Sequence, residues 1–547
     1  MTIRFIRAWN GHAAGDVATL SADEESRLVG LGIASSDFAA DQSGPLFDSI
    51  DQFLSQAGGS VNAGPIWIAG QQYNSRFVFD SLPGFVLVGD STAALGNDSG
   101  TVALTASGAT VTVTRTSHGC LPGSVVYLTN ANESEYNFIG TVQTVIDANS
   151  FTMIAPISPS VSPATGTPVM VNQQRIKDAE WANISNWMSH GKGLYIGNFA
   201  CGGTRTSALM DQLDIALDRT KNLWGVDPDI VFISTGINDA INDILSTEMI
   251  ANLKSAINRV LAFGAIPVVL TTFPYENNAT SWSVSRIREA RKYNQWIREN
   301  VVGMGGIVVD ANTVCIDSDN QYGNWKTGYS LSDGVHPGKK ASFQVAKAIK
   351  AQLWDNVTSV DTRTLTIINT NPTLTGTGGV TSGTGASGDV ANSFTLTAAG
   401  GGSQLVAGTK GIGLSGNSES QRVDITAVAS LDRGQFALSS QISGSITPEK
   451  SYLFKCRLRA TSLPEAFRYV QSTLSLTISG TSASQASGLY GSGTESWGEA
   501  FDMIIETPLF TIPETGLTSF TNRLDMAFQS PGNAIFDISD FGIYEIN

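Results

Sequence analysis

Between residues 85 and 309 one pattern recurs: a short, unbroken apolar run followed by a longer stretch of helical period. The runs are Phe85 to Val88, Leu194 to Ile196, Ile230 to Ile233, Ile266 to Leu270 and Ile307 to Val309. Apolar runs that do not alternate with polar residues suit strands covered on both faces, as in parallel sheets. Helical periodicity runs over Ile176 to Met188, Thr206 to Leu217, Thr247 to Phe263, Ser285 to Val301 and Ala341 to Leu353. Strands alternating with helices predict a doubly wound parallel α/β sheet. In such a sheet ligands bind outside the carboxyl ends of the strands. Those ends are therefore where chemistry is expected.

The rest of the 547-residue chain is organised around that sheet, and its length predicts three or more domains. The α/β pattern occupies 81–96 and 173–358. The interruption, 97–172, has β texture: Val111 and Val113 alternate with Thr110, Thr112 and Thr114, and Gly and Asn mark turns. It predicts a small inserted β-domain directly after the first strand. Residues 359–404, dense in Thr, Gly and Ser, read as a linker with first strands. Residues 405–547 predict a β-sandwich or jelly roll, with Tyr452, Phe454, Cys456 and Leu458 on one face and Lys455, Arg457 and Arg459 on the other. At the other end, 1–35 reads as a small unit. Ile3, Phe5 and Ile6 open a strand, and Ser21 with Glu24 forms a capping box for a helix over Ala22 to Val29. Residues 36–80, polar and irregular, read as a linker.

Composition narrows the partners. A net charge of -15 repels phosphate backbones and anionic headgroups, so nucleic acid is excluded as a main partner. No run approaches the roughly 18 apolar residues of a membrane span, so membrane insertion is not expected. The opening MTIRFIRAWNG carries arginines within its apolar stretch and does not read as a signal peptide. Cys120, Cys201, Cys315 and Cys456 are scattered without a CxxC pair, which predicts free thiols rather than a disulfide framework or zinc site. Neither a metal cluster nor a phosphate loop is legible, and no cofactor is expected. In the C-terminal region Tyr490 and Trp497 could stack on sugar rings, although packing is the commoner role for such aromatics.

Four short blocks follow the apolar runs. Gly89-Asp90-Ser91 ends the first. As a tripeptide it is weak, arising by chance in about one chain in seven of this length. Asn198-Phe199-Ala200-Cys201-Gly202-Gly203-Thr204 follows the second, and its paired glycines let a backbone approach a ligand closely. Thr235-Gly236-Ile237-Asn238-Asp239 follows the third; a side-chain amide there can donate to an oxyanion, or the block can be an Asx turn capping a helix. Ser332-Asp333-Gly334-Val335-His336-Pro337 precedes the last helix. An Asp three residues before a His, across a Gly turn, can bring carboxylate and imidazole together. His12, His118 and His190 sit beside Gly without an acid at that spacing. Acyl transfer needs a nucleophile, an oriented base and oxyanion donors, and these blocks contain all three types.

In this order the blocks resemble the SGNH, or GDSL-type, serine hydrolase family over about half of the chain. The resemblance implies a flavodoxin-like sheet and an esterase without a cofactor. It assigns Ser91 as nucleophile, His336 as general base and Asp333 as the orienting acid, with Asp310 a rival on position. The oxyanion hole would be the Ser91 N–H, the Gly203 backbone (with Gly202 the alternative register) and the Asn238 side chain. Asp90 and Asp239 would support loops. Thr92 stands where the name-giving Leu would be, and the insert separates the first two blocks. Both departures bear on cleft shape and substrate.

Softer resemblances concern the setting. Arg4 to Gly11 and Gly15-Asp16-Val17 are similar to segments of tailed-bacteriophage structural proteins, and the insert and C-terminal region to modules of tail fibres and tailspikes. They imply a virion protein, a homotrimer on phage tail or baseplate partners. It would act outside the host cell, removing acetyl or other acyl groups from bacterial surface polysaccharide. A bacterial carbohydrate esterase with a binding module, and a receptor-binding fibre that has lost activity, are the two rival expectations.

Overall fold

In this computed structural model the described residues are 2–5, 17–19, 34–35, 67–68, 71–72 and, from 77 to 546, all but 177–179, 219–225, 276–282, 319–323, 402, 415, 417–418, 440–445, 465, 479–480, 490–498 and 513–516. They form two compact units. One comprises 1–94, 192–336 and 344–362; the other comprises 95–191, 337–343 and 363–547.

The first unit is built on five parallel strands: β1 Gly84–Gly89, β2 Leu194–Asn198, β3 Pro228–Ser234, β4 Ile266–Leu270 and β5 Ile307–Val309. Their spatial order is β2-β1-β3-β4-β5, the order of flavodoxin-like doubly wound sheets. The direction of winding reverses between β1 and β3, so right-handed crossovers place helices on both faces. This explains why the strands carry no polar face: every residue of β1 is buried. Phe85 is ringed edge-on by Tyr195, Phe232 and Trp354 at 5.7–5.8 Å.

The helices are α1 Leu209–Asp218, α2 Ile237–Ile241, α3 Ser246–Phe263, α4 Val284–Asn300, α5 Ala311–Cys315 and α6 Lys339–Gln352. α1, α3 and α4 pack side by side, as expected of crossovers that all step in one direction. Two expectations need correction here. Residues 77–79, assigned to a linker, form a strand paired in parallel with Val357–Ser359. The expected helix from Ile176 begins only at Trp181, because Gly166–Ile176 is a strand. That helix also groups with the second unit rather than with the α/β sheet.

In the second unit the insert is a seven-stranded antiparallel sheet over Asn97–Ile176. Its two outermost strands, Asn97–Thr101 and Ala103–Ser107, are separated in sequence only by Val102. The sheet must therefore roll up to bring its edges together. Backbone bonds from Val102 N–H to Pro168 O and from Ala164 N–H to Leu104 O, 2.9 and 3.0 Å, tie those edges. Leu104, Val111, Val113, Tyr136, Phe138 and Phe151 fill the interior.

The C-terminal part has two sheets packed face to face. Phe394 and Phe436 on one meet Phe541 on the other, with centroids 5.2 Å apart in both pairs. Strands already occur at Leu365–Ile367, Gly378–Ser382, Ala386–Gly388 and Val390–Ala399, within the segment assigned in part to a linker. All four cysteines are free and buried. Thr2–Phe5 is a strand, paired with Val17–Thr19 and Ala34–Ser35. The expected Ala22–Val29 helix, Tyr490 and Trp497 lie outside the described residues.

Candidate active site

The carboxyl ends of β2, β1 and β3 are neighbours, and each carries one of the first three blocks. Ser91 follows β1 at the point where the winding reverses. It is half-buried. β1 ends on Gly89 at φ +134°, and a Cβ there would lie 1.9 Å from Ser234 O. Only glycine can end the strand this way and turn Asp90-Ser91 out of the sheet. The turn is tied to β3 by Asp90 N–H to Ser234 O, 3.0 Å, and closed by Ala93 and Ala94 N–H on Asp90 O.

Asp90, next to Ser91 in the chain, is fully buried. Its Oδ1 accepts the Thr92 N–H and hydroxyl at 2.9 and 2.7 Å. The Thr92 hydroxyl also meets Ser234 Oγ at 2.8 Å. The residue that departs from the Leu of the family name thus links the nucleophile turn to β3. Burial pushes the Asp90 carboxyl up to about 6, against the Thr92 bonds; the nearby Asp239 charge adds to the rise and His336 opposes it. His336 and Asp239 are therefore both electrostatic neighbours of the residue preceding Ser91.

The second block lies against Ser91. A Cβ on Gly202 would be 3.8 Å from Ser91 Cβ, while Gly203, at φ +77°, has open space where its side chain would be. Both glycines are exposed, so this loop offers bare backbone to a ligand beside Ser91. Asn198 supports it from below: its Nδ2 donates to Ala93 O at 2.6 Å and its Oδ1 accepts Ala200 N–H at 3.0 Å.

Asn238, in the third block, lies in the first turn of α2. Its Nδ2 donates one hydrogen to Thr204 O at 2.9 Å. That bond fixes the amide plane and leaves the second N–H of the same nitrogen for an oxyanion. Asp239, buried, accepts Thr206 N–H and Oγ1–H at 2.9 and 2.6 Å. Burial raises its carboxyl, and the two Thr206 bonds and Arg205 oppose the rise.

The fourth block supplies a His–Asp pair. Asp333 Oδ2 lies 2.7 Å from His336 Nδ1, and Asp333 Oδ1 accepts the N–H groups of Val335 and His336 at 2.9 and 3.0 Å. Partial burial pushes the Asp333 carboxyl up, but the bonds from His336 and Val335 outweigh it and hold the group below its usual value. An ionised Asp333 keeps the proton on Nδ1 and leaves Nε2 free to accept one. The loop is held by Trp325, whose Nε1 donates to Gly334 O at 3.0 Å while its ring stacks on Phe273 beyond β4. Asp310, the rival acid, is engaged elsewhere: it pairs with Arg298 at 2.7 and 2.9 Å and caps α5 through Thr313.

Two residues of this site have no motif signal, Gln212 and Trp325, and Asn198 lies in the second block without a role assigned to it from sequence. Gln212, buried on α1, accepts Gly89 N–H at 2.6 Å and donates to Gly89 O at 2.9 Å. An isolated Gln or Trp in a helix or loop looks like any other in sequence. Among the described residues no group of His, Cys, Asp and Glu is arranged to hold a metal ion.

The flavodoxin-like sheet carries Ser91 and bare backbone at its switch point, and the loop before α6 carries a His–Asp pair, the group types that serine-type acyl transfer uses. The family model of the GDSL-like lipases and acylhydrolases matches residues 171–341, a stretch that holds Gly203, Asn238, Asp333 and His336. Over that stretch the chain is similar to the GDSL-like acylhydrolases, and β-rich regions lie on both sides of it in sequence. Ser91 lies before the matched stretch, on the far side of the insert.

No curated protein matches in sequence. Among solved structures, the chain is similar to a protein assigned to the G-D-S-L lipolytic family from Desulfitobacterium hafniense DCB-2 (17% identity, 32% of this chain and 87% of that one, TM-score 0.26). It is also similar to a GDSL-like lipase from Bacteroides thetaiotaomicron VPI-5482 (15%, 29% and 75%, TM-score 0.25). A third is an acetylxylan esterase from Geobacillus stearothermophilus, solved as a catalytic mutant (14%, 52% and 99%, TM-score 0.30).

Proposed function

We propose that this protein is a serine esterase that removes acetyl or other acyl groups from bacterial surface polysaccharide, as a homotrimeric phage tailspike carried on tail or baseplate proteins. The observation that carries the chemistry is the 2.7 Å contact of Asp333 with His336, on an imidazole electrostatically coupled to the residue preceding Ser91. Ser91 Oγ attacks the acyl carbonyl while His336 Nε2 takes its proton. The oxyanion is received by the Ser91 and Gly203 N–H groups and the free Asn238 N–H. His336 returns the proton to the sugar oxygen as the C–O bond breaks, leaving an acyl-serine. Water, deprotonated by His336, then releases the carboxylate and restores the hydroxyl.

The polysaccharide and virion parts of the reading rest on the phage-like N-terminal segments, and on two β-rich modules in one chain with the hydrolase pattern, the whole carrying a net charge of -15. The test is acetate release from purified surface polysaccharides of a panel of bacteria. Ser91→Ala should lower release by ~10⁴-fold or more, with unfolding midpoint and polysaccharide binding unchanged. Undiminished release by that variant overturns the nucleophile. Release from plant glycans alone favours a carbohydrate esterase of another setting, and binding without any release favours an inactive fibre.

A further inference from the structure

We infer that Gln212 and Thr204 form a clamp on the Gly89 backbone that sets the spacing between the nucleophile and the oxyanion loop, and so act as positioning residues for turnover; this rests on the serine-esterase reading above. On its β3 side, β1 stays paired to its end, Ser234 lying opposite Gly89. On its β2 side the paired register stops at Leu87 opposite Asn198. Beyond it, the last residue of β1 meets not a strand but the side chain of Gln212, reaching from α1 across 123 positions of sequence. The carboxamide takes the place of a strand neighbour: Oε1 accepts Gly89 N–H at 2.6 Å and Nε2 donates to Gly89 O at 2.9 Å.

The Gly89 carbonyl accepts two further donors, both from the loop that carries Gly202 and Gly203. Cys201 N–H reaches it at 3.1 Å, and the one hydrogen of Thr204 Oγ1 is shared between it at 3.0 Å and Cys201 O, in the same loop, at 2.8 Å. One oxygen, two residues before Ser91, is thus shared by the nucleophile strand, the oxyanion loop and α1. Thr204 extends the link, since its own carbonyl orients the Asn238 amide. A shift of the Gly89 peptide moves Ser91 relative to Gly203 and Asn238. Gln212 is buried and is not offered to the substrate. Loss of the clamp should therefore lower kcat and spare KM, because misplacing reacting groups by about an ångström costs up to ~10²-fold in rate.

The test uses the full chain with a chromogenic acetyl ester. Gln212→Met keeps the volume and removes both bonds; kcat should fall about 10- to 100-fold with KM within about twofold. Gln212→Glu is the sharper variant. Protonated, a glutamic acid accepts through one oxygen and donates through the other, as the native amide does. Ionised, it sets a carboxylate against the Gly89 oxygen. The ratio of Gln212→Glu to wild-type kcat should therefore approach one at the acid end of the profile and fall as pH rises. The Gln212→Met ratio should stay flat. A Met variant with kcat within twofold of wild type, or a Glu ratio that does not change with pH, overturns the clamp. If the Met variant does not fold, the Glu profile decides alone. A wild-type protein without esterase activity overturns the esterase reading and the clamp with it, whereas an active wild type with unresponsive variants overturns the clamp only.

Discussion

The carboxyl end of the parallel sheet and the outer face of the C-terminal sandwich handle polar groups in opposite ways. On strand Ser451–Ser462 the side chains alternate. Tyr452, Phe454, Cys456 and Leu458 are buried, and the outward residues form ion pairs: Arg457 with Asp502 at 2.8 and 2.9 Å, Arg459 with Asp537 at 2.9 Å. Arg457, Arg459 and Asp502 keep partial access to water, while the buried Asp537 is shared by Arg459 and Arg422. Strands β1 and β3 have no outward face, so their polar chemistry is confined to the strand ends. There it is carried mostly by uncharged groups, the Gly89 peptide, Gln212, Thr204, Asn238 and Thr206, with the Asp90 and Asp239 carboxyls among them. The sandwich spends its polar residues on solubility and register, whereas the sheet end uses them to hold atoms in place.

If that contrast is right, deletions at the sheet end should cost function steeply and deletions on the sandwich face should cost little. Asn238→Ala removes an oxyanion donor and should lower kcat by ~10²–10³-fold, measured on a small acyl ester with the unfolding midpoint as control. An unchanged kcat would break the comparison at its strongest point.

Asp90 offers a test of burial itself. Its pKa is raised from the ordinary 3.8 to about 6. A raised carboxyl contributes stability that is fully present below its unfolded pKa and is lost as pH rises through the folded one. Between pH 4 and pH 7 the wild-type protein should therefore lose, relative to Asp90→Asn, on the order of 3 kcal/mol of stability. Urea midpoints of both proteins at the two pH values measure the difference, and parallel pH dependences would refute it. The smallest effect is expected on the sandwich. Replacing both members of one pair, Arg457→Gln with Asp502→Asn, should cost about 1 kcal/mol or less, and less again at high salt. A loss of several kcal/mol would mean that this face is as finely built as the sheet end.

The same contrast explains what could be read from the sequence. The five buried strands are legible because continuous apolar runs have few other uses, and Val111/Val113 and Tyr452 to Leu458 because alternation marks a half-covered sheet. The blocks around Ser91, Gly203, Asn238, Asp333 and His336 are legible because each must follow a strand or precede a helix with its glycine in place. Gln212 is not, since its role depends on where α1 crosses Gly89, a tertiary fact. The strand Phe77–Phe79 was hidden for a similar reason. Its partner, Val357–Ser359, lies some 280 positions away at the far edge of the domain, and three residues among polar neighbours carry no periodicity. The late start of the helix expected from Ile176 has the opposite cause: the apolar residue that closes the insert's last strand also fits the period of the next element.

The insert has one more consequence. Its first and last strands pair with each other, and Asn97 lies opposite Ile176 in that ladder. Antiparallel partners are about 5 Å apart, so the inserted sheet begins and ends at almost the same point. To the host fold, eighty residues of rolled sheet are no more demanding than a tight loop. Whatever is threaded through that doorway, long, short or differently shaped, leaves the six residues back to Ser91 undisturbed. Such an arrangement lets the accessory module be exchanged wholesale between related proteins while the machinery beside it is inherited intact.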